Sequence, residues 1–183
     1  MQFKPTPLAG AKVVALNPIA DDRGSFARLW CSKQSREQGL FARPEQCNVS
    51  RNLRRGTLRG LHYQKPPHLE AKLVRCTQGA IFDVIVDLRY DSVTAGQWYG
   101  TKLSADSLDM LYIPEGFAHG FITLEPDTEV FYMMSTSYVP GTEAGIRWDD
   151  ADLAITWPIA PKVISDRDKA LPNLRETGFL SLH

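Results

Sequence analysis

From residue 46 onward, the chain consists of short segments with the alternating pattern of β-strands, separated by Gly, Pro, Asp and Ser. Short strands that recur at close intervals between turn residues are typical of a β-sandwich or a β-barrel. The predicted strands are 46–52, 57–64, 71–77, 80–89, 98–103, 110–113, 120–124 and 129–138. The pattern therefore predicts an all-β fold.

The flanking segments add a few peripheral elements. Strands are predicted at 12–16 and 25–31, and a polar helix at 32–40 with Ser32 as its N-cap. A short helix capped by Ser165 is predicted within 161–172. No repeat or composition shift divides the chain, so one domain spanning 1–183 is expected.

The composition of the chain restricts the kinds of molecule that it is expected to bind. The chain has 21 basic and 21 acidic residues, so its net charge gives no general attraction to nucleic acid or to a membrane surface. No apolar run approaches the roughly 20 residues that a membrane-spanning helix needs. The three cysteines are widely spaced and form no CxxC pair, which predicts reduced thiols in a cytoplasmic protein.

Two motifs indicate where a site lies. The spacing from Gly56 to His62 resembles the opening of the first cupin motif, and Pro114-x-Gly116-x-x-His119 resembles the second. Cupins are double-stranded β-helix barrels of the jelly-roll type, which agrees with the predicted strands. The fold expected is therefore a cupin barrel with a few short peripheral helices.

The first motif lacks the usual metal ligands. Gln64 stands where a metal cupin has its second His, and Lys72 stands near the position of the Glu. A lysine ammonium has no lone pair and repels a divalent cation. We therefore expect neither a metal nor another cofactor. The rival is a metal-dependent cupin oxygenase or isomerase that uses His62, His68, Glu70 and His119.

Without a metal, these residues suit proton transfer next to a carbonyl group. A neutral His62 imidazole can remove such a proton near pH 7. Lys72 or Arg59 can then stabilise the oxygen anion that develops. A carboxylate behind the imidazole would fix its tautomer, and both Asp166 and Asp168 are candidates.

Two further pairs of residues each share one face of a predicted strand. Tyr132 and Tyr138 share a face of the predicted strand 129–138, so either could supply an acid on the opposite side of the substrate. Asp83 and Asp87 lie on the face of their strand opposite its apolar residues. Arg75 or Arg89 is expected to pair with them.

Five segments together carry a family resemblance: RGLHYQKPP, EAKLV, GAIFDVIVDLR, PEGFAHGF and SDRD. In order and spacing they resemble the dTDP-4-dehydrorhamnose 3,5-epimerases, the RmlC-like cupins, from about residue 7 to residue 172. The resemblance implies a nucleotide-linked 4-keto-6-deoxyhexose substrate, a metal-free site that inverts C5 and C3, and a homodimer with strands exchanged between subunits.

The resemblance also assigns roles to residues. It implies His62 as the base, Asp168 as the residue that orients it and Tyr132 as the acid. Further substrate contacts are implied for Lys72 and Arg59 near the ketone and phosphates, His119 in the same pocket, Arg23, Gln46 and Asn48 at the nucleotide, and Tyr138 as a wall aromatic.

The sequence departs from the family pattern near the nucleotide end and the rim of the site. Arg28 stands where many members have Glu, and Glu70 replaces the more usual Gln. The nucleotide base and the choice between one and two inverted carbons stay open. A protein that binds a sugar nucleotide without catalysis is a further alternative.

Overall fold

The structure is a computed structural model, and it describes residues 1–178. Its strands are β1 (Gln2–Pro5), β2 (Lys12–Ala15), β3 (Ile19–Asp21), β4 (Gly24–Phe26), β5 (Gln46–Asn52), β6 (Thr57–Gln64), β7 (Lys72–Gln78), β8 (Ala80–Asp87), β9 (Trp98–Ser104), β10 (Met110–Ile113), β11 (Phe117–Thr123), β12 (Thr128–Met134), β13 (Glu143–Gly145) and β14 (Val163–Ile164). Its helices are α1 (Ser32–Glu37), α2 (Asp166–Lys169) and a 3₁₀ turn, Leu174–Thr177.

Two antiparallel sheets form the barrel. The first has the order β1-β2-β10-β7-β12-β5, and the second has the order β13-β6-β11-β8-β9. The strand β14 adds to β6 in parallel, whereas β3 and β4 form a separate hairpin. The strand-rich, jelly-roll architecture predicted from the sequence is confirmed.

The space between the sheets is filled by every second residue of the strands. Val74 and Val130 contribute from the first sheet, and Ile81, Ile85 and Phe121 contribute from the second. Each such side chain stabilises the fold by about 1.5–3 kcal/mol when it leaves water. By the same parity, Lys72 and Tyr132 of the first sheet and Asp83 of the second face inward. The interior is thus apolar in one part and polar in another.

A bulge in β6 sets the geometry of the polar part. His119 of β11 is opposite His62, and Phe121 is opposite Arg59, so two steps along β11 match three along β6. In a regular strand, side chains three residues apart lie on opposite faces. The extra residue of the bulge lets both Arg59 and His62 face the same cavity.

Gly60 is required at this bulge. Its φ is +123°, and a Cβ there would lie 2.5 Å from the Cα of Gly120 and 2.8 Å from the carbonyl oxygen of His119. Both neighbours are backbone, which cannot rotate away as a side chain can. The close approach of β6 to β11, and hence the position of His62, depends on the missing side chain.

Both sheets are covered on their outer faces. Leu40 and Phe41 pack with Leu73 and Tyr112 over the first sheet. Residues from the C-terminal segment, Ile146, Leu153 and Leu174, pack over the second sheet. Among the described residues, no helix is long and apolar enough to cross a membrane.

Several predicted boundaries were wrong. The strand expected at 25–31 ends at Phe26, because the segment leaves its short hairpin to cover the first sheet. The N-cap of α1 is Cys31 rather than Ser32. The strand expected at 129–138 ends at Met134, and the one expected at 120–124 already begins at Phe117. The Ser165 cap is confirmed, since its hydroxyl accepts a hydrogen bond from the Asp168 N–H.

Candidate active site

The polar part of the interior opens as a cavity of about 220 Å³. The residues that line it come from facing strands of both sheets. They are Ser50, Lys72 and Tyr132 from the first sheet and Arg59, His62, His119, Gly120 and Phe121 from the second. The structure therefore brings together five of the predicted site residues: Arg59, His62, Lys72, His119 and Tyr132.

His62 is held from behind by Asp168. The Nε2 atom of His62 lies 2.8 Å from Oδ1 of Asp168, whose side chain is only 5% exposed. The other carboxylate oxygen accepts the Gly60 N–H at 3.1 Å. Parallel pairing of β14 with β6 brings this C-terminal residue to the base. Asp166, the other candidate, is 99% exposed and pairs with Lys169.

The electrostatics keep Asp168 ionised. Burial alone would raise its pKa, but the hydrogen bonds from His62 and from the Gly60 N–H hold the pKa below its ordinary value. An ionised carboxylate only accepts hydrogen bonds. The Nε2 atom of His62 must therefore carry a proton, which leaves Nδ1 as the basic nitrogen.

His119 has an equivalent arrangement. Its Nε2 lies 2.7 Å from Oδ1 of Asp83, which is fully buried. The expected arginine partner of Asp83 was wrong, although Asp87 does pair with Arg89 at 2.7 Å. The strand predicted at 120–124 starts after His119, whereas His119 lies within β11, which pairs with the strand that carries Asp83.

The two cations of the cavity are also anchored. Lys72 Nζ lies 2.8 Å from Oε1 of Glu70, and Arg59 Nε donates to Oδ1 of Asn52 at 2.8 Å. Glu70 follows the turn at Pro66 and Pro67 and is buried. Each charged or basic group of the cavity is thus fixed by a partner behind it.

Tyr132 is placed on the wall opposite His62. It belongs to β12 in the first sheet, whereas His62 belongs to β6 in the second. Burial raises the pKa of the Tyr132 hydroxyl above its ordinary value, so the phenol is protonated at neutral pH. The cavity therefore has a basic nitrogen on one side and an undissociated acid on the other.

The predicted nucleotide contacts Gln46, Asn48 and Tyr138 form one hydrogen-bonded group. The side chain of Gln46 donates to Asn48 at 3.2 Å and accepts the Tyr138 N–H at 3.0 Å. Asn48 is opposite Tyr132 across the β5–β12 pair. The strand-parity argument for Tyr138 was wrong, because β12 ends before it; Tyr138 is 48% exposed, and its hydroxyl donates to Glu143.

Arg23 lies elsewhere. It is on the β3–β4 hairpin, pairs with Asp21 and lines a separate surface cleft with Ile19 and Phe26. The structure of a single chain therefore does not bring Arg23 to the cavity.

Sequence reasoning missed two groups that line or support the cavity. Ser50 lines the cavity, and its hydroxyl is buried with no hydrogen-bond partner within residues 1–178. Asn52, on the same strand, orients Arg59. The signal was in the sequence, since Gln46, Asn48, Ser50 and Asn52 alternate as polar residues along one face of β5.

The donor set of the metal-dependent rival is not assembled. Within the described part of the chain, no three His, Cys, Asp or Glu side chains are grouped so as to hold a metal ion. Glu70 pairs with Lys72, and His68 lies in the turn after β6.

Fold and site together define a class of protein: a cupin barrel whose interior cavity is lined by a histidine paired with a buried carboxylate and by a tyrosine from the facing sheet. The family model for dTDP-4-dehydrorhamnose 3,5-epimerase matches residues 5–176. The chain belongs to this family, and it is thus a carbohydrate epimerase, an isomerase.

Individual relatives support the same family assignment. The dTDP-4-dehydrorhamnose 3,5-epimerase of Escherichia coli strain K12 is 42% identical over 176 residues, covering 93% of this chain and 94% of the relative. The dTDP-4-dehydrorhamnose 3-epimerase of Streptomyces niveus is 36% identical over 184 residues, covering 98% and 88%. The crystal structure of RmlC from Legionella pneumophila Philadelphia 1, in complex with dTDP-4-keto-L-rhamnose, superposes with a TM-score of 0.90 at 37% identity, covering 95% and 93%.

Proposed function

We propose that the protein inverts C5 and C3 of a nucleotide-linked 4-keto-6-deoxyhexose, of the type that converts dTDP-4-dehydro-6-deoxy-D-glucose to dTDP-4-dehydro-L-rhamnose. The observation that carries the proposal is the placement of His62, backed by Asp168, and Tyr132 on opposite walls of one cavity. Inversion at carbon needs a base on one face and an acid on the other.

In the first step, His62 Nδ1 removes the proton from the carbon next to the C4 ketone. The electron pair of the C–H bond moves toward the ketone oxygen, which becomes an enolate. Lys72 and Arg59 stabilise this negative charge, and Asp168 stabilises the imidazolium. In the second step, the Tyr132 hydroxyl delivers a proton to the opposite face of the same carbon, and the ketone re-forms. The imidazolium then releases its proton to solvent and the tyrosinate takes one from solvent, which restores both groups.

The nucleotide supplies binding energy away from the reacting carbons. Gln46, Asn48 and Tyr138 form one hydrogen-bonded group beside Tyr132, which supports their role as nucleotide contacts. Binding energy from such a remote group can be used to position the sugar ring. The buried Ser50 hydroxyl and His119 are available to the sugar itself.

We further propose a homodimer with exchanged strands. The strand β5 is an edge of the first sheet with Val49 56% exposed, and Ile19 and Phe26 on the lone hairpin are each 72% exposed. Such edges and apolar surfaces favour pairing with a second copy. Arg23 could then reach the nucleotide bound by the partner. Monomeric sedimentation of the active enzyme would contradict this proposal.

The cellular location proposed is the cytoplasm. Cys31, Cys47 and Cys76 are free thiols in the structure, which supports a reducing compartment.

Isotope exchange tests the proposed reaction. Incubation of the enzyme with dTDP-4-dehydro-6-deoxy-D-glucose in D2O is expected to place deuterium at C5 and at C3, because each proton is lost and replaced from solvent. Proton NMR of the sugar measures loss of the two signals. An absence of exchange with this and with other 4-keto-6-deoxyhexose nucleotides would contradict the proposal.

A second candidate is inversion of a single carbon, which is favoured by the similarity to the 3-epimerase of Streptomyces niveus. The same experiment separates the two, since a single-carbon enzyme places deuterium at one position only. A protein that only binds the nucleotide sugar would give binding without any deuterium.

A further inference from the structure

Lys72 is one of the two cations that line the cavity, and its ammonium is fixed from behind by Glu70. The two side chains are 12% and 7% exposed, and their charged atoms are 2.8 Å apart. Glu70 itself does not line the cavity, and its direct contact with a cavity group is the ion pair with Lys72. Its charge also adds, after burial, to the raised pKa of Tyr132.

The carboxylate of Glu70 is in turn fixed by a chain of hydrogen bonds. Gln64 Nε2 donates to Oε2 of Glu70 at 3.2 Å, and the Thr142 hydroxyl donates to Oε1 of Gln64. The Thr142 hydroxyl also contacts the Val139 carbonyl, in the segment that follows Tyr138. The chain of contacts therefore links the ammonium of Lys72 to the backbone of the segment that follows Tyr138.

We propose that Glu70 is a positioning residue for epimerisation, and that it holds the Lys72 ammonium where the enolate oxygen develops. The proposal rests on the proposed function. A free lysine side chain has four rotatable bonds and samples many orientations, whereas electrostatic stabilisation of a transition state requires a donor that is already in place. The buried carboxylate removes that freedom before the substrate binds.

If Glu70 acted only through its charge, its removal would be expected to strengthen substrate binding. Glu70 places a negative charge beside Lys72, so its removal makes the cavity one unit more positive and more attractive to an anionic nucleotide. A loss of turnover after removal of Glu70, without weaker substrate binding, would therefore report positioning rather than attraction.

The test is a double-mutant cycle on the purified enzyme, with kcat and KM measured separately. We expect Glu70→Ala to lower kcat by about 10–100-fold and to change KM by less than about threefold, since one stabilising group is misplaced but not removed. Glu70→Gln is expected to restore most of kcat, because the amide oxygen still accepts a hydrogen bond from Lys72. In a Lys72→Met background, Glu70→Ala is expected to cause no further loss.

A control separates positioning from general stability. Asp150 is a buried carboxylate that accepts the N–H groups of Leu153 and Leu174, outside the cavity. Asp150→Asn is expected to lower the melting temperature while leaving kcat unchanged.

If the wild-type enzyme epimerises the substrate, two outcomes would contradict the proposed role of Glu70. One is a Glu70→Ala kcat within about twofold of wild type, and the other is an additive loss on top of Lys72→Met. A wild type that shows no exchange would instead contradict the proposed function.

Discussion

The His62→Ala variant is expected to lose exchange at both carbons, with kcat lowered by about 10³–10⁴-fold, the upper part of the range for removal of a general base. Nδ1 of His62 is the basic nitrogen in the cavity, because Nε2 is held by the ionised Asp168. Proton NMR in D2O, with enzyme in stoichiometric amounts, measures the residual rate.

The matched control is His68→Ala, which removes an imidazole from the turn after β6 and outside the cavity. This variant is expected to exchange at the wild-type rate. Retention of more than about a tenth of the exchange rate by His62→Ala would mean that another group removes the proton.

The Tyr132→Phe variant is expected to separate exchange from inversion. His62 still removes the proton and returns a solvent-derived one to the same face, so deuterium enters the sugar with retained configuration. Formation of the inverted product is expected to fall by about 10²–10³-fold, because no acid remains on the opposite wall. The ring is kept, so its packing against the core is kept as well.

Tyr99→Phe is the control for Tyr132→Phe. Tyr99 is another partly buried tyrosine packed against the same core cluster, but it does not line the cavity. Its product formation is expected to match wild type. Equal losses of exchange and inversion in Tyr132→Phe would contradict the assignment of Tyr132 as the acid for the second step only.

Much of the fold could be predicted from the sequence because strand periodicity directly reports which side chains share a face of a strand. The alternation along 80–89 placed Asp83 on the face opposite Val84 and Val86, and the structure agrees. The same parity put Tyr132 and Tyr138 on one face of the predicted strand, and the structure places only Tyr132 within β12, packed against the core. Predictions of this kind depend on local backbone geometry, which the order of residues largely determines.

The contacts that depend on pairing between distant strands could not be predicted in this way. The choice between Asp166 and Asp168 depends on the parallel pairing of β14 with β6. The bulge in β6 directs Arg59 and His62 to the same face, although regular alternation would place them on opposite faces. The pairing of Asp83 with His119 required the register between β8 and β11.

The position of β14 after the other strands of the sheets has a consequence for biosynthesis. Residues 62 and 168 are separated by 106 positions in the chain, and the strands of both sheets up to β13 precede β14. A ribosome releases these segments in order, so the imidazole of His62 is without its carboxylate until 106 further residues have been made. Competence for turnover is thereby acquired only after the other strands of both sheets have been synthesised.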